Sequence, residues 1–171
     1  DLNLPTFVNK LGEHLVKRNH QVTFMGQSHY WFAFSENGIG YYPLPYSYQT
    51  TWLLISTISA FFKLLVKRPL AVLPVFSTIK KDYKKNKGIK GGRNWLLDFI
   101  RLAACKQIQP DVIHNQWSSS LAALEPLFSH YHVFQSLHGR LEDVTPFHDQ
   151  VIAGIYKKFF PKLAGVQAVS G

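Results

Sequence analysis

His114 and His138, each closing a short apolar run, are the side chains of this chain best placed for chemistry. Val112-Ile113 leads into His114, and Val133-Phe134 leads through Gln135-Ser136-Leu137 into His138-Gly139. A neutral imidazole can hydrogen-bond a hydroxyl through either ring nitrogen, and its charge changes close to neutral pH. The glycine after His138 lets backbone approach closely. Between the two runs, Ser118 to Tyr131 has the length of a helix, so the reading is strand, helix, strand. A crossover of that size implies parallel strands in a right-handed βαβ unit. Parallel strands end on the same side, which puts both histidines at the carboxyl edge where open α/β folds bind ligands. The structural alternative is that each histidine only ties down the loop that follows it.

Neighbouring residues extend this candidate site. Trp117 can stack on the flat face of a ligand, although a tryptophan beside a strand is more often core. Arg140 can pair with an acidic acceptor or a phosphate, with Glu142 and Asp143 close enough in sequence to neutralise it. His14, His20, His29, His130, His132 and His148 show no metal-ligand spacing, and His130 and His132 read as a surface pair. The single cysteine, Cys105, lies in an apolar helical stretch and reads as a buried, inert thiol. It excludes an internal disulfide and any multi-cysteine metal site. No metal or cofactor is implied.

These side chains need a scaffold, and 171 residues suffice for one well-packed domain over 1–171. An apolar content of 46% with 15% aromatics argues against disorder. No charged-then-apolar leader is visible at the start, and the window Trp52 to Val66 reads as too short and too polar to span a bilayer. The net charge of +9 is concentrated. Residues 50–106 hold twelve Lys or Arg and two acids, a net of +10, so the rest of the chain carries −1. Three readings of this basic aromatic segment stand open. It is a solvated face over ordinary core helices, a membrane-surface site or a nucleic-acid site. For the membrane reading the residues are Trp52, Phe61, Phe62, Lys80, Lys81, Lys84 and Lys85; no nucleic-acid motif supports the third.

The elements that must position these groups alternate. Thr6 to Arg18 predicts a helix with an apolar stripe of Phe7, Val8, Leu11 and Leu15, closed by Asn19 in a left-handed position. Gln21 to Met25 predicts a strand. Tyr30 to Phe34, the turn Glu36-Asn37-Gly38 and Ile39 to Tyr42 predict a short strand or hairpin. Helices follow at Leu54 to Leu65, Asn94 to Gln107 and Asp149 to Lys162, with Leu70 to Lys85 ambiguous because Pro74 interrupts it. Gly165 to Ser170 predicts a last strand, ending like the two histidine strands on a polar group. The expected class is α/β, a Rossmann-like doubly wound and mostly parallel sheet with helices on both faces.

The residues also resemble a family. Leu4-Pro5-Thr6-Phe7-Val8-Asn9-Lys10 and Leu15-Val16-Lys17-Arg18-Asn19-His20-Gln21-Val22-Thr23 look like the first helix and second strand of retaining glycosyltransferases of family 4, which have the two-domain GT-B architecture. Pro110-Asp111-Val112-Ile113-His114-Asn115-Gln116-Trp117 is similar to that family's Pro-Asp-Val-Ile-His-x-His-Trp, with Gln116 in place of the second histidine. Ser136-Leu137-His138-Gly139 is similar to its Thr-x-His-Gly, and Val166-Gln167-Ala168-Val169-Ser170 to its Ala-Val-Ser. Asn19 replaces the usual glycine. The resemblance implies an acceptor-side N-terminal domain, with the family's first strand and its C-terminal donor domain outside these residues. It implies a nucleotide-sugar donor, bound mainly by that other domain, and a saccharide or lipid-linked acceptor. His138 would be the catalytic-side histidine beside the transferred sugar, and His114, Trp117, Gly139 and Arg140 would meet the acceptor. A cytoplasmic protein follows, with the inner face of the membrane as its peripheral site. The alternatives are a non-enzymatic sugar- or anion-binding α/β module and a basic nucleic-acid-binding domain.

Overall fold

The computed structural model describes residues 6–28, 30, 33–46, 48–86, 94–116, 121–138 and 150–169. The chain runs α1 (Thr6–Lys17), β1 (Val22–Gln27), β2 (Phe34–Glu36), β3 (Ile39–Leu44), α2 (Thr50–Lys67), a 3₁₀ turn (Pro69–Ala71) and α3 (Val72–Asn86). It continues through α4 (Asn94–Ile108), β4 (Val112–Asn115), α5 (Leu121–Leu124), a 3₁₀ turn (Glu125–Leu127), β5 (His132–His138), α6 (Gln150–Phe159), a 3₁₀ turn (Phe160–Lys162) and β6 (Gly165–Val169). The class is α/β. The strands form two three-stranded sheets, in the orders β1-β3-β2 and β4-β5-β6.

Local signals explain the turns. Asn19 takes φ 64 and closes α1, with its N–H bonded to the Val16 carbonyl. Asn37 and Gly38 both take positive φ, which lets β2 turn back antiparallel onto β3. Gln109 closes α4 the same way, one residue before Pro110. Pro74 falls in the first turn of α3, where its missing N–H has no helical partner to lose, so the ambiguous stretch is helical after all. The expected helix from Ser118 to Tyr131 is instead a short α5 followed by a 3₁₀ turn, because Pro126 cannot donate within a continuing helix.

The first sheet is covered on both faces. α1 lies on the face of Phe24, Ile39 and Tyr41, closely enough that a Cβ at Gly12 would stand 2.6 Å from the Phe24 ring. On the other face Met25, Tyr42 and Leu44 meet the main core, where α4 is buried along most of its length. Leu53, Ala60 and Leu64 of α2 and Val72, Val75 and Ile79 of α3 pack around it, with Leu127 and Val133 from the second half of the chain. Asp98 is buried in α4 and bridged to Arg101 at 3.0 Å, which keeps its charge partnered. On α1 the expected stripe is rotated: Val8 and Gly12 are buried, and Phe7 and Leu11 are exposed.

Candidate functional site

The three strands of the second sheet are mutually parallel, so their carboxyl ends lie on one side. Two polar pairs join the end of β4 to the middle of β5. His114 Nε2 lies 2.7 Å from Ser136 Oγ, and Asn115 Nδ2 donates to Gln135 Oε1 at 2.6 Å. Register sets His114 beside Phe134 and Asn115 beside Gln135, so the first pair is diagonal and the second direct. Because successive strand residues alternate in direction, the two pairs serve opposite faces of the sheet. Gln135 and Ser136 are both buried, where a polar group without a partner is costly. The Gln135 amide answers this by donating to the Ser136 carbonyl as well as accepting from Asn115.

A hollow of about 310 Å³ lies against the His114 side, lined by Val112, His114, Phe134, Gly165, Val166 and Gln167. A Cβ at Gly165 would come within 3.0 Å of two Phe134 ring carbons, so glycine there is what admits the ring against β6. Val112, Phe134 and Val166 are each exposed by more than a third. The hollow is therefore a mostly apolar floor with an imidazole and an amide at its edge. Such a surface suits the apolar face and hydroxyl rim of a sugar ring better than a free ion.

His138 is the last residue of β5 and pairs in register with Val169. His114 stands beside Phe134, four residues earlier along β5 and roughly 13 Å back at the usual strand rise. The expectation that His114 and His138 line one crevice at the carboxyl edge is corrected: His114 stands level with Phe134 and Gly165, the first residue of β6, whereas His138 ends β5 level with Val169, the last. The His138 side chain, and Trp117, Gly139, Arg140 and Ser170 entirely, lie outside the described residues. Ser136 and Gln135 were missed by sequence reasoning. Their signal is two adjacent polar residues inside an otherwise apolar strand.

Elsewhere, burial pushes the Cys105 thiol up to about 12, consistent with an inert group, although the Lys106 cation acts in the opposite direction. Burial, then Lys106, lowers His130. Among the described residues no three His, Cys, Asp or Glu side chains gather as a metal site would require.

The membrane-surface candidates divide. Trp52 is only 8% exposed and belongs to the interior, which corrects its assignment to a surface. Phe61 is half-buried, Phe62 is exposed, and Lys80, Lys81 and Lys84 are exposed along α3. Lys85 lies in α3 with its side chain outside the described residues. α2 is also longer than the apolar window suggested, and by length and composition alone its 18 residues could cross a membrane. Many core helices of soluble proteins pass the same test, and the buried face of α2 packs on α4.

Comparisons with protein-family models, curated proteins and solved structures found no match to this chain.

Proposed function

We propose that this chain is the acceptor-side, Rossmann-like domain of a retaining glycosyltransferase, its strands belonging to a doubly wound sheet. The observation that carries the reading is the parallel β4-β5-β6 sheet, which bears imidazole, hydroxyl and amide groups at the end of β4 and the middle of β5. Those strands are the same segments whose motifs resemble the family, in the same order. Neutral donors and acceptors on rigid strands suit a sugar, whose hydroxyls need positioned partners but no counter-charge. In this reading His138 hydrogen-bonds the transferred sugar, while His114, held by Ser136, meets the acceptor with Trp117, Gly139 and Arg140. The nucleotide-sugar is held mainly by a second domain. The acceptor is a saccharide or a lipid-linked sugar, and the protein works in the cytoplasm.

A second reading rests on how completely the polar pairs satisfy one another. Groups already bonded to each other suit a non-enzymatic sugar- or anion-binding module that uses the same hollow. Sugar transfer by the full-length protein separates the two. His138→Ala should lower turnover by roughly 10²–10³, by analogy with the loss of one transition-state hydrogen-bond donor. His114→Ala should act mainly on acceptor KM, as expected for a contact equal in ground and transition states. Sugar binding without any transfer, across a panel of nucleotide sugars, would favour the module.

A further inference from the structure

We propose that the corner joining α2 to α3 docks on the surface of an anionic lipid bilayer, with its aliphatic tip seated at the headgroup–acyl boundary. The inference stands independently of the sugar-transfer reading. It begins from the periodicity of α2. At about 100° per residue, Leu53, Ala60 and Leu64 fall on one side and are buried in the core. Ile58, Phe62 and Leu65 fall on the opposite side and are exposed. A helix apolar on both sides is normally covered on both sides. Here the second side has no cover among the described residues.

The exposure grows toward the corner. Val66 is 81% exposed, Leu70 92% and Leu73 80%, the three highest values among the large apolar side chains described. Val66 lies in the last turn of α2, Leu70 in the Pro69–Ala71 turn and Leu73 in the first turn of α3, so the three flank one corner of the chain. An aromatic ladder anchors this tip to the core. Phe62 meets Phe61, Phe61 meets Phe76, and Phe76 meets the fully buried Phe99, at centroid distances of 5.5, 6.0 and 5.0 Å.

Charge selects the occupant. Lys63 and Lys67 of α2 and Arg68 just after it flank the tip, and Leu73 shares a stripe of α3 with Lys80 and Lys84 at spacings of seven and eleven. No ion pair to an acid is formed by these five cations among the described residues; Arg68 bonds Gln109. Long basic side chains around aliphatic groups match lipid phosphates above acyl chains. Protein interfaces instead deplete lysine at their cores. A second copy would set two basic surfaces face to face, and nucleic acid offers nothing for the exposed leucines to enter. Crossing the bilayer would strip Leu53, Ala60 and Leu64 from α4, so the helix lies on the membrane rather than through it.

The test uses the full-length protein and two vesicle preparations, phosphatidylcholine alone and an equal mixture with phosphatidylglycerol. Sedimentation should show binding to the anionic vesicles that weakens as salt rises. Leu70→Ser with Leu73→Ser should weaken it by about tenfold per leucine, at the lower end of the range for burying such a side chain. Lys80→Gln, Lys81→Gln and Lys84→Gln should each weaken it by about fivefold at low salt. Circular dichroism and thermal melting of these surface variants should match wild type. A Leu70→Cys variant carrying an environment-sensitive fluorophore should shift to the blue on anionic vesicles, Cys105 being too buried to compete for label. Equal binding to both vesicles, an unshifted label, unimpaired binding by the leucine variant, or salt-sensitive DNA binding without vesicle binding would each overturn the proposal. So would resistance to alkaline carbonate extraction, which would make α2 a spanning helix.

Discussion

The paired strands β4 and β5 and the α2–α3 corner dispose of their polar groups in opposite ways. Between the strands, His114 answers Ser136 and Asn115 answers Gln135, so these side chains spend hydrogen bonds on one another. At the corner, lysines and leucines face outward with no partner among the described residues. Polar groups used internally hold a shape, and their removal should register as lost stability. Groups left unanswered contribute little to folding and are available to a partner, so their removal should register as lost binding.

Stability measurements sharpen that contrast, beginning within α2 itself. Leu64 is fully buried and Val66, two residues on, is almost fully exposed. Leu64→Ala should cost about 2–5 kcal/mol in urea unfolding, whereas Val66→Ala should stay within about 0.5 kcal/mol of wild type. Equal losses would mean that the corner is packed against something after all. Between the regions, Gln135→Leu leaves the Asn115 amide without its acceptor and should cost about 1–3 kcal/mol. Lys84→Gln should leave the melting temperature unchanged. A smaller effect attaches to Ser136→Ala, which removes the partner of His114 and should cost about 0.5–1.5 kcal/mol. The His114 ring resonances in that variant should move relative to wild type, and an unmoved ring would show the pair to be incidental.

Cys105 gives the smallest effect at neutral pH. Its thiol is pushed from near 9 up to about 12 by burial, so the folded protein favours the protonated form. That contribution is complete below pH 9 and is lost as pH rises from 9 toward 12. Tyr131, raised from 10 to about 12 by burial and by Cys105, adds a loss of the same sign as pH rises from 10 toward 12. Cys105→Ala should therefore flatten part of the alkaline loss of stability, and the native thiol should resist alkylation at pH 8. Rapid labelling under native conditions would contradict the burial that both statements rest on.

What the sequence made legible were features written in adjacent residues. The apolar runs into His114 and His138 are strands, Asn37-Gly38 is a hairpin turn, and Asn19 closes a helix. What it hid depends on three-dimensional register. The diagonal between His114 and Ser136 follows from how β4 slides against β5, which no local pattern states. Trp52 was misplaced because a helix apolar all round gives no period from which to choose its buried side. The same ambiguity concealed Val66, Leu70 and Leu73, where proline turns the chain and exposes what composition alone would have placed in the core. Pro126 likewise shortened α5 in a segment whose length alone suggested a full crossover helix.

The central claim is that the strand ends of the second sheet serve sugar transfer. The most direct test is turnover of the full-length protein and its His138→Ala variant against a panel of radiolabelled nucleotide sugars, with thermal melting to confirm that both fold alike. The account predicts transfer by the wild type and a loss of roughly 10²–10³ in the variant at unchanged melting temperature. Wild-type turnover in His138→Ala would contradict it and leave that histidine as a loop anchor.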